Sequence, residues 1–292
     1  MRPTMQLALA GLCIALLALA ACRQEEAAAP DPVESGVVVA NRAYLENFGA
    51  PPQGKAGEAF ARVGYLPLQE SPQQVRAFPL FLFSDKDQLQ QILNRLISGE
   101  LHLPEGFGLY NPFPADLQLT ATSLDNPVLT LSLLSKVSWS DTDKAAAGRA
   151  LAESVFQFPK VEKVVVMLNG QPLAQMPADG YRHEPGTLAA IRPPQLVLMA
   201  GMWERGGDSP DELLAEFDRP VKINNFKLFM RSGEAVDGEY FTSIFQMAVV
   251  VLPKDPTLYQ ESTVLRAEWD VVDGLERSNS GTTTLPLLRY EH

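Results

Sequence analysis

FPLFLFSDKDQLQQILNRLISG, residues 78–99, decides the fold of the first half of this 292-residue chain. Residues 78–83 are an unbroken apolar run, which predicts a buried strand. Ser84 offers an N-cap for a helix whose inward positions recur at helical spacing: Leu89, Ile92, Leu93, Leu96 and Ile97. Gly99 is placed to end that helix. The stretch therefore predicts a strand followed directly by an amphipathic helix.

The next residues predict a hairpin, a second helix and a last strand. Residues 117–121 and 128–133 alternate as strands around the turn Asp125-Asn126-Pro127. A helix capped by Ser140 or Asp141 follows, and Pro159 blocks its continuation. Residues 160–168 form the last strand, which ends at Asn169-Gly170. The order predicts one sheet of three or four strands with both helices on one face, because each helix has one apolar stripe to bury.

Several of these stretches resemble the GerMN domain of sporulation and germination lipoproteins. They are FLFS at 81–84 with its helix, LPE at 103–105, NPFP at 111–114, and ESVFQFPKVEKV at 153–164 before Asn169-Gly170. The resemblance covers about residues 75–173, a third of the chain, and lacks a Gly-Pro pair near Gly99-Glu100, which affects the loop there. It implies an α+β domain of order β-α-β-β-α-β that serves in interaction or assembly. Similar folds build rings, so the resemblance also implies self-association.

The rest of the chain is different in character. Residues 174–194 are rich in Pro, Gly and Ala and predict a linker or an excursion across the surface. From residue 195 strand patterns dominate, with a bulge predicted at Asn224-Asn225, a hairpin turn at Asp273-Gly274 and one short helix within 210–216. Residues 195–292 therefore predict a mostly antiparallel β-sandwich. GerMN domains often precede an immunoglobulin-like domain, which is one candidate for this region.

The N-terminus has the build of an export signal. Arg2 precedes an apolar run at residues 7–18, and Leu19-Ala20-Ala21-Cys22 resembles the lipobox of bacterial lipoproteins. The resemblance implies cleavage before Cys22 and acylation of that residue; an ordinary secretory signal is the alternative. We therefore expect a signal peptide at 1–21, and a flexible tether with an irregular segment at 22–74. The expected location is the periplasmic face of an outer membrane, or the outer face of the cell membrane where there is no outer membrane.

Composition excludes several function classes. Cys13 and Cys22 are the only cysteines, so the mature chain has no disulfide of its own. The net charge of −11 argues against nucleic acid and against anionic lipid as charge-driven partners. Membrane contact is therefore expected to come from the acyl chains on Cys22.

Motifs for chemistry are sparse. His102, His183 and His292 are too widely spaced to predict a metal site, and no catalytic or cofactor-binding residue is predicted. The acidic residues Glu204, Asp208, Asp211 and Glu212 could supply an acid/base pair, although a solvated loop explains them better. Among the tryptophans, Trp269 fits a core position and Trp203 is the candidate for an exposed aromatic.

The sequence therefore predicts a non-catalytic, lipid-anchored envelope protein. Its GerMN-like domain is expected to bind another envelope protein or peptidoglycan, or to self-associate. One alternative is an exported wall-processing enzyme that uses the acidic residues near Glu204 and Asp208. The other is a solute-binding lipoprotein, which requires a deep cleft between the domains.

Overall fold

The computed structural model describes residues 37–53, 58–98, 101, 103 and 105–292. The predicted signal segment, the lipidation site Cys22 and the predicted helix end at Gly99 lie outside these residues. Residues 36–292 cluster as one unit with two main hydrophobic cores. Within the described ranges, no helix combines the length and the apolar character that crossing a bilayer requires.

The described residues of the first half form two sheets and three α-helices. In the three-stranded sheet, β1 (Val38–Ala40) runs parallel to β2 (Ala59–Pro67), and β2 pairs antiparallel with β3 (Val75–Leu82). The four-stranded sheet has the order β4 (Gln118–Asp125), β5 (Val128–Leu134), β6 (Lys163–Leu168) and β7 (Gln171–Pro172). The helices are α1 (Arg42–Phe48), α2 (Gln88–Ile97) and α3 (Asp141–Val155).

The α+β class and the element order predicted for residues 78–168 are confirmed. Four residues of the predicted inward stripe of α2 are buried and Leu89 is half-buried, and β4 and β5 form the predicted hairpin, with Asp125 opposite Val128. Ser140 is the N-cap of α3 and accepts a hydrogen bond of 3.0 Å from the Asp143 N–H. Ser84 does not cap α2, because its hydroxyl accepts from the Lys86 N–H in a local turn and the helix begins four residues later.

The prediction of a single sheet with both helices on one face was wrong. The strand β3 pairs with β2, whereas β4, β5 and β6 form a separate sheet. Helix α3 lies between the two sheets and contacts β2 and β3 as well as β6. It can do so because small side chains let both sheets approach closely; Ala147, Gly148 and Ala152 are all buried.

The prediction of an irregular segment up to residue 74 was also wrong for the residues that the structure describes. Strand β2 is buried at every position except Arg62, so its sequence does not alternate as a half-exposed strand would. Gly64 lies against the ring of Phe78, where a Cβ would come within 2.8 Å of Cε1. The small residues that permit this packing, Ala59, Ala61 and Gly64, lower the apolar signal of the segment.

The segment after β7 packs against the first core. Tyr181 is buried and pairs with Val164 through two backbone hydrogen bonds of 2.8 and 2.9 Å. The Ala189 N–H donates to the Val75 carbonyl at 2.8 Å, which ties the segment to β3 as well. Residues 174–194 therefore cross the surface of the first half before the second half begins.

The second half consists of two sheets over one core, as the predicted β-sandwich requires. One sheet has the order β11 (Gly238–Thr242), β12 (Ala248–Pro253), β9 (Glu212–Phe217), β8 (Leu196–Trp203) and β15 (Leu288–Glu291). The other has the order β10 (Val221–Met230), β13 (Val264–Asp273) and β14 (Ser278–Pro286). All pairs are antiparallel except β8 with β15.

Two local features of the strands in this half agree with the sequence, and the element predicted at residues 210–216 does not. The register of β10 shifts between Ile223 and Asn225, which confirms the predicted bulge, and Asp273 ends β13 at the predicted hairpin. The short helix predicted within 210–216 is strand β9 instead. Its inward residues Leu213, Ala215 and Phe217 follow a period of two, and that burial outweighs helix propensity.

A network of hydrogen bonds and ion pairs around Asp273 connects the two halves. Asp273 accepts hydrogen bonds from the Leu275 and Arg277 N–H groups and from the Arg277 side chain, and it forms an ion pair with Arg219. Arg277 also donates to the Asn47 carbonyl of α1 at 2.8 Å. Beside this contact, a Cβ at Gly274 would lie 2.5 Å from the Phe48 carbonyl oxygen, so this close approach requires a glycine.

Candidate functional site

An open groove of about 1020 Å³ lies in the first half, beside α1 and the C-terminal end of α3. Its lining combines amide side chains, aromatic rings and charges of both signs; those used below are Asn47, Tyr65, Glu153, Phe156, Arg182 and His183. The groove is therefore polar and mixed in charge, with two aromatic rings in its wall.

Glu153 is the buried charged group of this groove. It lies in the last turn of α3 and is only 2% exposed, because the helix is enclosed by the two sheets. His183 Nδ1 lies 2.8 Å from Glu153 Oε2, and the Glu184 N–H donates to Oε1 at 3.4 Å. The carboxylate therefore holds the segment at residues 183–184 against the helix.

Arg149 supports the same arrangement one helical turn earlier. Its guanidinium lies 3.8 Å from Glu153 Oε1 and 3.3 Å from Glu184 Oε2, and it donates to the Arg182 carbonyl. It also packs 5.1 Å from the centre of the Tyr181 ring. These contacts fix the backbone of residues 182–184 at the rim of the groove.

Burial is the main influence on the pKa values of Glu153 and Tyr65. It raises the pKa of Glu153, while the hydrogen bond and charge of His183 act in the opposite direction. Burial likewise raises the pKa of Tyr65 to about 12, so that the phenol stays protonated at neutral pH. The groove thus offers an oriented imidazole to a ligand, with the exposed Arg182 beside it.

A carboxylate that orients an imidazole is also an element of nucleophilic catalysis. Such chemistry requires a hydroxyl or thiol within reach of the imidazole. Among the described residues that line this groove there is no Ser, Thr or Cys. The nearby Ser154 hydroxyl is buried, donates to the Ala150 carbonyl at 2.7 Å and accepts from the Tyr65 N–H. The arrangement therefore suits binding better than acyl transfer.

The acidic residues that the enzyme alternative would use lie outside this groove. Glu204, Asp208 and Asp211 are exposed on the turn between β8 and β9, and Glu212 is half-buried on β9. Asp211 lies 3.4 Å from His292, at the end of the chain. In the described part of the chain, no group of three or more His, Cys, Asp or Glu residues could hold a metal ion. His102 lies outside that part.

The prediction of an exposed Trp203 was wrong. Its side chain is fully buried in the second core, where the ring packs against Gly201 and under the Arg289 guanidinium, 5.0 Å from the ring centre. The glycines and charges around it in the sequence suggested a surface loop, but Trp203 is the last residue of β8 on the inward face. Trp269 is a core residue, as predicted, and contacts Phe217 edge to face.

A second, smaller cavity separates β3 from the five-stranded sheet. It has a volume of about 410 Å³ and is largely apolar, with Phe78, Leu80 and Phe107 facing Ala200 and Leu214. This is the kind of cleft between domains that a solute-binding protein requires, although its polar groups are few.

Sequence reasoning did not find the pairing of Glu153 with His183. The two residues are 30 positions apart and meet only because residues 174–194 return to α3. One signal was present: Glu153 falls on the inward side of a helix built of small residues, where an unpaired charge would be costly. That position alone indicates a buried partner without naming it.

The first half of the chain is an α+β domain that carries an open polar groove. Residues 64–174 match the model of the Germane family, described as sporulation and spore germination. This part of the chain is therefore a GerMN domain, as the resemblance predicted, and the match begins within β2, ahead of the predicted boundary. No curated protein matches the chain.

Solved structures give weaker similarities. The first GerMN domain of the sporulation protein GerM from Bacillus subtilis is 22% identical, with a TM-score of 0.34, over 42% of this chain and 93% of that chain. PcoC, a methionine-rich copper resistance protein from Escherichia coli, is 17% identical with a TM-score of 0.24, over 33% and 99%. A protein from Clostridium perfringens described as a candidate lipoprotein is 14% identical with a TM-score of 0.27, over 44% and 89%. The domain assignment rests on the family match alone.

Proposed function

We propose that this chain is a lipid-anchored cell-envelope protein whose GerMN domain is a non-catalytic binding module for peptidoglycan. The observation that supports the proposal is the polar groove that the family-matched residues form together with α1 and the segment after residue 174, with His183 held at its rim by Glu153. A fixed, mixed-charge surface costs little entropy to order when a ligand binds.

Peptidoglycan has the chemistry that this groove complements. Its sugars offer hydroxyls to the Asn47 amide and an apolar ring face to Phe156, both of which line the groove. Its peptide stems carry carboxylates, which the exposed Arg182 can pair with. Another envelope protein remains the alternative partner.

In this proposal, acylation at Cys22 holds the protein at the membrane. Several acyl chains hold a protein on a bilayer, where a single chain binds only marginally. Confinement beside the wall raises the effective concentration of the groove for its ligand, so that weak contacts suffice. The exposed acidic residues near Glu204 and Asp208 have no part in this function.

Replacing Cys22 with Ser tests the anchor. We expect the full chain to sediment with membranes and to move into the soluble fraction as C22S, because the acyl chains are its membrane contact. Cys13→Ser, inside the predicted signal, is the matched control and should leave the protein in the membrane fraction. Membrane association that is unchanged in C22S contradicts the anchor, without bearing on the groove.

Reversing the charge of Arg182 tests the groove. Co-sedimentation of the purified protein with insoluble peptidoglycan should show at least about fivefold weaker binding for Arg182→Glu, because one attractive contact becomes repulsive. Arg231→Glu, in the exposed turn after β10, makes the same charge change away from the groove and should bind like the wild type. Equal binding by both variants, or no binding by the wild type, excludes peptidoglycan as the ligand of the groove.

A further inference from the structure

A third cavity, of about 350 Å³, opens beside β3 and contains a buried cation. Arg76 of β3 lines the cavity and is only 6% exposed, whereas the side chain of Arg192, also in the lining, is half-exposed. The turn at residues 68–74 and the segment at residues 188–192 form its walls. Among the described lining residues, it shares only Leu188 with the groove beside α1. The inference from this cavity does not depend on the proposed function.

Backbone hydrogen bonds hold both walls of the cavity in place. In the turn, the Leu68 N–H donates to the Gln74 carbonyl at 3.0 Å, and the Gln74 N–H donates to the Ser71 carbonyl at 2.9 Å. In the other wall, the Ala189 N–H donates to the Val75 carbonyl of β3 at 2.8 Å. The cavity is therefore preformed, and a ligand that enters it loses little free energy to ordering of the protein.

Arg76 has no ion-pair partner among the residues that the structure describes. Its Nη2 donates to the Phe107 carbonyl, and the guanidinium lies 5.6 Å from the centre of the Phe107 ring. The nearby carboxylate of Asp218 accepts two hydrogen bonds from Arg219, of 2.7 and 3.0 Å. Burial lowers the pKa of Arg76, and Asp218 acts in the opposite direction. A buried cation without a counter-ion is costly, which indicates that a ligand supplies one.

Two nitrogens of Arg76 are available to such a ligand. Nε and Nη1 have no hydrogen-bond acceptor among the described residues, because the bond to Phe107 uses Nη2. Neither belongs to the unpartnered polar atoms of the described residues that are closed to solvent. An anion in the cavity can therefore accept charge-assisted hydrogen bonds from this side chain.

The rest of the lining favours a carboxylate that is attached to an apolar group. Leu68 and Leu188 contribute apolar surface. Glu70 also lines the cavity; its side chain is 84% exposed, and Oε2 lies 3.9 Å from Arg192 Nη2. This negative charge repels a doubly charged phosphate more strongly than a singly charged carboxylate.

We propose that this cavity binds a short ligand whose carboxylate adjoins an apolar group, as in a small aliphatic acid or at the C-terminus of a peptide. The carboxylate accepts hydrogen bonds from Arg76 and pairs with Arg192, where it displaces Glu70. The apolar group packs against Leu68 and Leu188. A volume at the lower end of the range for ligand pockets limits the bound part to a small group.

Isothermal titration calorimetry of the full protein tests the proposal, with acetyl-Ala-Ala as the probe. The dipeptide acid should bind with a Kd of about 1 mM or tighter. Its C-terminal amide should bind at least about tenfold more weakly, because it lacks the charge that Arg76 requires. Three results would overturn the proposal: equal binding of acid and amide, no binding of the acid at about 10 mM, or tighter binding of inorganic phosphate than of the acid.

Butyrate distinguishes the two sources of the carboxylate. Binding as tight as that of acetyl-Ala-Ala would assign the cavity to small aliphatic acids. Binding at least about fivefold weaker than that of the dipeptide would assign it to a peptide C-terminus, since the peptide group then contributes contacts of its own. Both results support the pairing of a carboxylate with Arg76.

Arg76→Met tests the buried cation, because methionine keeps an unbranched side chain without the charge. Binding of acetyl-Ala-Ala should weaken at least about tenfold, and the acid should no longer raise the Tm as it does for the wild type. Arg95→Met is the matched control, since Arg95 also donates to a backbone carbonyl, that of Phe81 at 2.8 Å, outside the cavity. The control should bind like the wild type.

Two exposed positions keep the test independent of folding. Arg192→Ala should weaken binding about threefold, and Glu70→Gln should strengthen it about threefold, because the ligand no longer competes with a carboxylate for Arg192. Arg231→Ala, in the exposed turn after β10, is the control and should bind like the wild type. Binding that is unchanged in both Arg192→Ala and Glu70→Gln would exclude the cavity as the site.

Discussion

Replacing Asp273 with Ala should lower the free energy of unfolding by about 3–5 kcal/mol. The carboxylate is fully buried and accepts two backbone N–H groups, from Leu275 at 2.9 Å and from Arg277 at 3.0 Å. It also holds the Arg277 side chain at 2.7 Å and forms an ion pair with Arg219, which is itself buried. Alanine leaves these donors without their acceptor, and each buried donor then bears its desolvation cost.

Urea denaturation of the purified protein measures this effect. Asp270→Ala is the matched control, because Asp270 lies three residues earlier on β13 and its bond to Asn224 is exposed. The control should lose about 1 kcal/mol or less. A loss of similar size in both variants would show that the buried network contributes no more than an exposed bond.

Gly148→Ala should destabilise the protein by about 3 kcal/mol, although alanine favours helices over glycine by about 1 kcal/mol. The new Cβ would lie 2.6 Å from Cζ of Tyr181 and 2.9 Å from Cδ2 of Leu173, and closer still to the Tyr181 hydroxyl. Because α3 is held between two sheets, it cannot move away from the ring.

A double-mutant cycle identifies the clash as the cause. Tyr181→Phe removes a buried hydroxyl that has no hydrogen-bond partner in the structure, so alone it should change stability little or raise it slightly. Combined with Gly148→Ala it should recover at least about 1 kcal/mol, since one of the crowded atoms is absent. Strict additivity in thermal or urea unfolding would contradict a steric origin.

Local patterns predicted the elements of the GerMN domain and of the sandwich well. The stripe of α2, the Ser140 cap and the β4–β5 hairpin all depend on residues within a few positions of each other. The pairing of β3 with the strand before it could not be read in this way. The partner of β3 is β2, whose small residues Ala59, Ala61 and Gly64 pack closely but carry little apolar signal.

The candidate site was less accessible to sequence reasoning than the fold. His183 could be noted as an isolated histidine, and Glu153 as part of the family resemblance, but only the return of residues 174–194 to α3 brings them together. For Trp203 the local sequence was misleading. Its glycine-rich surroundings favour a loop, whereas its burial is decided by the register of β8 with β9 and by Arg289 far along the chain.

The bond between Arg277 and the Asn47 carbonyl has a consequence for how the chain is made. These residues are separated by 230 positions. At the usual rate of about 5–20 residues per second, Asn47 leaves the ribosome roughly 10–50 s before Arg277 does. The Asn47 carbonyl at the end of α1 therefore cannot accept this hydrogen bond until the last hairpin has been synthesised. A nascent chain that stops before that hairpin leaves the first half without its final fastening, open to proteases and to capture by chaperones.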